Sequence, residues 1–279
     1  MALIPRNKCI PAVVSLALIS VISAAVPSQA HEFWIDPLSG HLDPGDTILA
    51  HLRVGENLSG AAYPYVSKTV AEMKHWVPGG VVPISAREGD RPAINTVAEQ
   101  PGLHRITVQS HPAYIVFDDM PEFEDYLQYE GLGNIADLHR ERGLPGVEIA
   151  EGYIRNGKSL LQVGNDLSVT DQRTDLPFEL TVIGNPFDPK HQTIDVELTW
   201  NGAPVPGTQV SVFYLPSGGT APDDSERRIF HTNDDGLFSI ALSGAGAYLL
   251  NAVRMSPVDG PGTVVWESYW ASLTFSIPK

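Results

Sequence analysis

The chain of 279 residues carries 18 lysines and arginines against 33 aspartates and glutamates, a formal net charge of −15, and 43% of it is hydrophobic. That length is ample for a core of one or two domains, and the apolar fraction excludes a largely disordered chain. The charge balance argues against a nucleic-acid binder, which needs a basic face. It favours cations, although the same balance also serves plain solubility.

The first thirty residues read as a cleaved secretory leader. Arg6 and Lys8 form a positive start, Ile10 to Val26 is almost wholly apolar, and Ser28-Gln29-Ala30 places small residues where a signal peptidase cuts. The run ends at Pro27 without the basic flank of a membrane anchor, so the reading is an exported protein of the periplasm with no membrane span. Removing Arg6 and Lys8 lowers the basic count from 18 to 16 against 33 acidic residues, a net charge of −17. The one cysteine, Cys9, leaves with the leader, so the remaining chain forms no disulfide.

Cleavage after Ala30 makes His31 the first residue. A free N-terminal histidine offers an α-amine and an imidazole to one metal, and with a second imidazole forms a three-nitrogen brace suited to copper and acceptable to nickel or zinc. Cleavage after Ala25, behind Ser23-Ala24, is the alternative and would abolish the brace.

Past the leader the pattern is mostly of short strands. Pro44-Gly45-Asp46 turns into a strand over Thr47 to Val54, with Ile48, Ala50, Leu52 and Val54 on one face and His51 on the other. Leu103 to Val108 and Ala113 to Phe117 read as a pair of strands broken by Ser110-His111-Pro112. Phe123, Tyr126 and Leu127 then take helical spacing, with Glu122, Glu124 and Asp125 in the first turn, where the helix dipole favours carboxylates. Ile149, Tyr153, Ile154, Leu160 and Leu161 suggest a second helix between Pro145-Gly146 and Gly164-Asn165. Gly157 inside it would cost about 1 kcal/mol relative to Ala.

From Phe178 onward strands return. Ile194, Val196, Leu198 and Trp200 alternate with polar residues, Asn201-Gly202 is a tight turn, and Asp234-Asp235-Gly236 is another. Further strands are expected at Thr208 to Tyr214, Ile229 to Thr232, Leu237 to Leu242, Ala247 to Val253 and Val264 to Ser276. The expected architecture is mainly β, with two sandwich-like (Ig-like) domains. A β-rich domain spans 31–184 with a helical insertion at about 120–163, and a β-sandwich spans 185–279.

Nine histidines invite a metal reading, but no H-x-x-x-H or H-E-x-x-H pair is present. His104 and His111, seven apart around a turn, are the speculative partners of His31. Asp118 to Asp125 lacks the spacing of a calcium loop and is explained by helix capping. Trp266, Tyr269 and Trp270 suit a sandwich core better than a sugar platform. No nucleophile elbow, phosphate loop or dinucleotide fingerprint appears, so an enzyme is the lesser reading.

Several segments resemble a known family. His31-Glu32-Phe33-Trp34-Ile35, Phe123 to Leu132 (FEDYLQYEGL), His139 to Pro145 (HRERGLP), Lys158-Ser159-Leu160-Leu161 and Trp266 to Phe275 (WESYWASLTF) recur in the order of the DUF4198 domain of exported bacterial proteins. The resemblance implies a periplasmic component of nickel or cobalt uptake that works with a membrane metal transporter. Gly152 to Gly157 departs from the family's Tyr-Ser-Arg-Tyr-like stretch. The C-terminal part, from Asn201-Gly202 to Tyr248, resembles a transthyretin-like or carboxypeptidase-regulatory sandwich, a likeness that carries no activity. The expected function is therefore binding of nickel, cobalt or copper through His31, with His104 and His111 as candidate ligands. The alternatives are a non-catalytic protein- or glycan-binding scaffold and a copper-dependent oxidase.

Overall fold

The structure, a computed structural model, describes residues 31–279. The leader, Cys9 and both cleavage positions lie outside them. In chain order come β1 (Glu32–Pro37), β2 (His41–Leu42), β3 (Thr47–Glu56), β4 (Ser59–Tyr63), β5 (Val70–Val77), β6 (Gly80–Pro83), β7 (Ile94–Val97), β8 (Gly102–Ser110) and β9 (Ala113–Asp119). Helices α1 (Met120–Tyr129) and α2 (Asn134–Glu141) follow, then the long β10 (Val147–Val163). The rest is β11 (Phe178–Ile183), β12 (Thr193–Trp200), β13 (Ala203–Pro204), β14 (Gln209–Pro216), β15 (Glu226–His231), β16 (Leu237–Ala241), β17 (Gly246–Pro257) and β18 (Val264–Ile277).

The fold is mainly β and sandwich-like. Its middle layer is a ten-stranded sheet in the order β15-β14-β17-β18-β10-β8-β5-β6, with β2 and β9 also on β10. Strands β11, β12, β13 and β16 form a small sheet over one face, where Leu160, Phe178, Val196, Val212, Leu250 and Leu273 make an apolar core. The other face is covered twice. Strands β1, β3, β4 and β7 enclose Ile35, Ile48, Leu52, Ile106 and Leu161, and the helices enclose Phe117, Phe123, Leu127, Trp266 and Trp270. Trp266 and Trp270 are thus core residues, as their place in a closing strand suggests.

The first helix forms as its spacing predicts. Asp119 caps it by accepting from the Glu122 amide at 3.0 Å, while Glu122 accepts from the Asp118 amide at 2.8 Å, so these carboxylates serve the helix start. Asn201 and Gly202 both take positive φ, 48° and 79°, in the turn from β12 to β13.

One expectation is corrected. The segment Ile149 to Leu161 is not a helix but part of the seventeen-residue strand β10, so the helical insertion stops at α2. Most of β10 is covered on both faces and both edges, by β8 and β9 on one side and by β18, in parallel, on the other. A strand covered in this way loses the alternation that marks a half-exposed strand. Gly157 bears no helix penalty; a Cβ there would lie 2.9 Å from the Phe33 ring, so glycine admits the crossing of β1. Strands β8 and β9 form as the sequence suggests. Both run antiparallel to β10 at different stretches of it, so they follow one another along its edge.

Candidate functional site

Strand β1 crosses the face of the large sheet. Trp34 packs on Phe213 and Leu249, and Thr274 Oγ1 donates to the Ile35 carbonyl at 2.7 Å. Strand periodicity puts Glu32 on the same side as Trp34, and it is 1% exposed. Beneath it the register aligns Ser211, Asn251, Ser272 and Gly157 in one row across β14, β17, β18 and β10. A row of small and polar residues here puts hydrogen-bonding capacity into an otherwise apolar interior.

The end of helix α1 packs against this row. Tyr129 donates through its hydroxyl to Glu32 Oε1 at 3.3 Å, and Glu130, which caps the helix, accepts at Oε2 from Asn251 Nδ2 at 3.3 Å. The helix end is held by Gln209 and Arg227, which donate to the Tyr129 carbonyl at 2.8 and 2.7 Å. The Arg227 guanidinium also lies 3.6 Å over the Tyr129 ring. Gly131, at φ 74°, turns the chain where any side chain would strike Gln209. Further in, Glu151 Oε1 accepts from the Tyr126 hydroxyl at 3.2 Å and from Ser268 Oγ, which in turn accepts from Trp270 Nε1 at 3.1 Å.

The chamber is acidic and short of partners. Glu32 Oε2, Glu130 Oε1, Glu151 Oε2, Asn251 Oδ1 and Ser272 Oγ are all buried without a hydrogen-bond partner. Burial pushes the Glu32 carboxyl up to about 7, helped by the nearby charge of Glu56. Burial likewise pushes Glu151 up to about 7 and holds Glu130 well above the carboxylate range, with Glu32 the strongest charge acting on Glu130. Arg227 opposes the rise at Glu32 and Glu130, and Arg155 opposes it at Glu151. Such a cluster is neutralised by protons or by a cation.

At the rim stands His31. Its Nδ1 is 3.1 Å from Glu56 Oε1, with the two side chains 33% and 41% exposed, and Arg155 Nη2 donates to its carbonyl at 3.3 Å. The other two predicted ligands lie apart from one another. His104 is wholly buried in β8, where its Nδ1 meets His75 Nε2 at 2.7 Å and its Nε2 donates to the Gln100 carbonyl at 2.7 Å. His75 in turn accepts from Thr96 Oγ1 at 3.2 Å. Every ring nitrogen of that pair is occupied, and burial lowers both pKa values, His75 to about 4, so the pair is neutral. His111 is exposed in the turn after β8. It stands seven residues along the extended chain from His104, about 20 Å away. The described residues therefore do not combine His31, His104 and His111, and no three His, Cys, Asp or Glu among them form a ready ligand group.

Glu32, Glu130, Glu151 and Asn251 were not anticipated as site residues. A signal was present at two of them: Glu151 and Asn251 each interrupt an apolar run with a polar residue, whereas Glu32 and Glu130 stand among other polar residues and do not stand out. Most of the segments that carry the family resemblance meet here. His31 to Ile35 supplies Glu32, FEDYLQYEGL supplies Tyr126, Tyr129 and Glu130, and WESYWASLTF supplies Ser268, Trp270 and Ser272. HRERGLP buttresses the last of these. His139, 2% exposed, accepts from Trp266 Nε1 at 3.0 Å, and Arg142 donates to the Val265 and Val258 carbonyls.

Residues 28–256 match the model of a domain of unknown function, DUF4198. No curated protein matches the chain. The matched span includes Glu32, Glu130, Glu151 and Asn251 and ends before Trp266 to Phe275. The chain belongs to the DUF4198 family.

Proposed function

We propose that this protein is an exported, periplasmic binder of a transition metal ion, nickel or cobalt before copper, which it holds for a membrane transporter. The observation that carries the reading is the contact of His31 Nδ1 with Glu56 Oε1 at the rim of an acidic chamber. In a chain beginning at His31, the α-amine joins the imidazole as a chelating pair and Glu56 adds an oxygen. A mixed nitrogen and oxygen set suits nickel and cobalt. The buried carboxylates behind it add negative potential that draws a cation inward. The partner that His31 meets is a carboxylate and not a second imidazole, which weighs against the copper oxidase. No helix among the described residues is long and apolar enough to cross a membrane, in keeping with a carrier that meets its transporter from outside the bilayer.

Titration of the exported protein with nickel and cobalt tests this. His31→Ala and Glu56→Gln are each expected to weaken binding tenfold or more, and a Met placed before His31 should do the same by moving the amine. Unchanged affinity in His31→Ala, with the mass showing a start at residue 31, would overturn the reading.

A second reading, the scaffold module, is favoured by one surface. Tyr114, Val116 and Val147 are 74%, 40% and 58% exposed along a cleft of about 680 Å³ beside β9 and β10. Flat metal titrations would shift the function to that apolar strip.

A further inference from the structure

We propose that the polar row beneath Glu32 and Glu130 is a second cation site, separate from the His31–Glu56 contact and built of oxygen alone for a hard divalent ion such as calcium, magnesium or manganese. Four unpartnered oxygens from four elements define it. They are Glu32 Oε2 from β1, Glu130 Oε1 from the end of α1, Asn251 Oδ1 from β17 and Ser272 Oγ from β18. The four residues are 1%, 3%, 1% and 4% exposed, so water outside the protein does not reach them.

Their convergence follows from the packing already described. Asn251 and Ser272 face each other in register, Asn251 Nδ2 touches Glu130, and Tyr129 ties Glu32 to the same helix end. The charged groups facing this row are Glu32, Glu130, Glu56 and Arg227, with Glu151 beyond Tyr126. Arg227 does not serve the orphaned oxygens, because its donors go to the Tyr129 carbonyl and Ser211 Oγ. Acceptors left unmade in the interior carry their full desolvation cost, and two carboxylates among them add charge repulsion. An ion that takes oxygen ligands at several positions relieves both at once. Carboxylate, amide and hydroxyl oxygens without nitrogen or sulfur are the donors of hard ions.

The site stands whether or not His31 binds a transition metal, and the two are separated by variants. Chelator-treated protein would be unfolded thermally with calcium, magnesium or manganese in turn, and its retained metal counted by native mass spectrometry. One of the three ions is expected to raise the midpoint by several degrees and to be retained at one equivalent, as binding to the folded state alone requires. Glu130→Gln, which keeps the shape of the side chain, should abolish both effects. Ser272→Ala should weaken them roughly tenfold, and His31→Ala should leave them unchanged. The inference falls if no ion shifts the midpoint, if the shift survives in both Glu130→Gln and Ser272→Ala, or if His31→Ala removes it. A chamber that holds only water would give the first of these results.

Discussion

Replacing Lys158 with Met is expected to cost about 3–5 kcal/mol, a large part of the roughly 5–15 kcal/mol that holds a typical domain together. Lys158 is 1% exposed, and its ammonium lies 3.1 Å from Asp171 and 2.8 Å from Glu179, both equally buried. It also donates to Thr181 Oγ1 at 3.3 Å. Met preserves most of the apolar stem, so the loss measures the charge and not the packing. Without the ammonium, two carboxylates face each other in the interior with only neutral donors left. These are the amides of Val182 and Gln172 on Asp171, and the Thr174 amide and hydroxyl on Glu179. Denaturant unfolding checks the value. A loss below about 1 kcal/mol would mean that those donors satisfy the carboxylates by themselves. The result would also explain the family-like Lys158-Ser159-Leu160-Leu161 segment as a structural clamp between sheets, remote in role from the acidic chamber.

Glu151→Gln is expected to stabilise the protein at alkaline pH and to do little in acid. The carboxyl has an ordinary value of 4.5 and is pushed up to about 7 by burial in the folded state. Between these values the folded state binds more protons than the unfolded state, so stability falls as pH rises through the window. The cost is absent below about pH 4.5 and complete above pH 7, where it is on the order of 3 kcal/mol. Gln carries no charge and mimics the protonated acid, accepting from Tyr126 and Ser268 as before. The difference between the two proteins should therefore grow from near zero at pH 4.5 to its full value at pH 8. His75 runs the other way. With its pKa lowered from 6.5 to about 4, the unfolded state holds the extra proton and stability falls as pH drops through that range. In Glu151→Gln the histidine slope is less opposed, so the stability maximum should move to higher pH. Urea unfolding in a chelating buffer at several pH values checks both. A pH-independent difference would show that Glu151 is already ionised in the folded protein.

Local features were legible in the sequence because they are decided by neighbours. Asp119 capping α1, the Asn201-Gly202 turn and the alternation of β12 each rest on a few adjacent residues. Helix α2 was not, since its N-cap is Gly133 without a side-chain bond and it spans only eight residues. Strand β10 was misread because burial on both faces erased its period, and its parallel pairing with β18 joins residues more than a hundred positions apart. The same reason hid the chamber. Tyr129 is 97 residues from Glu32 and Asn251 is 121 from Glu130, so only the fold shows that these groups share one space. Of the three proposed ligands, His31 directly precedes Glu32, and the register that pairs Glu32 with Gly55 brings it next to Glu56. His104 was a reasonable choice from sequence, but its use is structural: a buried pair with both rings satisfied.

Native intact-mass analysis of the protein exported to a periplasm and exposed briefly to nickel, cobalt, copper and zinc tests the central claim most directly. The expected result is a mass that begins at His31 and retains one nickel or cobalt ion, lost in His31→Ala. A mass beginning at His31 that retains none of the four ions, or one that begins at another residue, would contradict it.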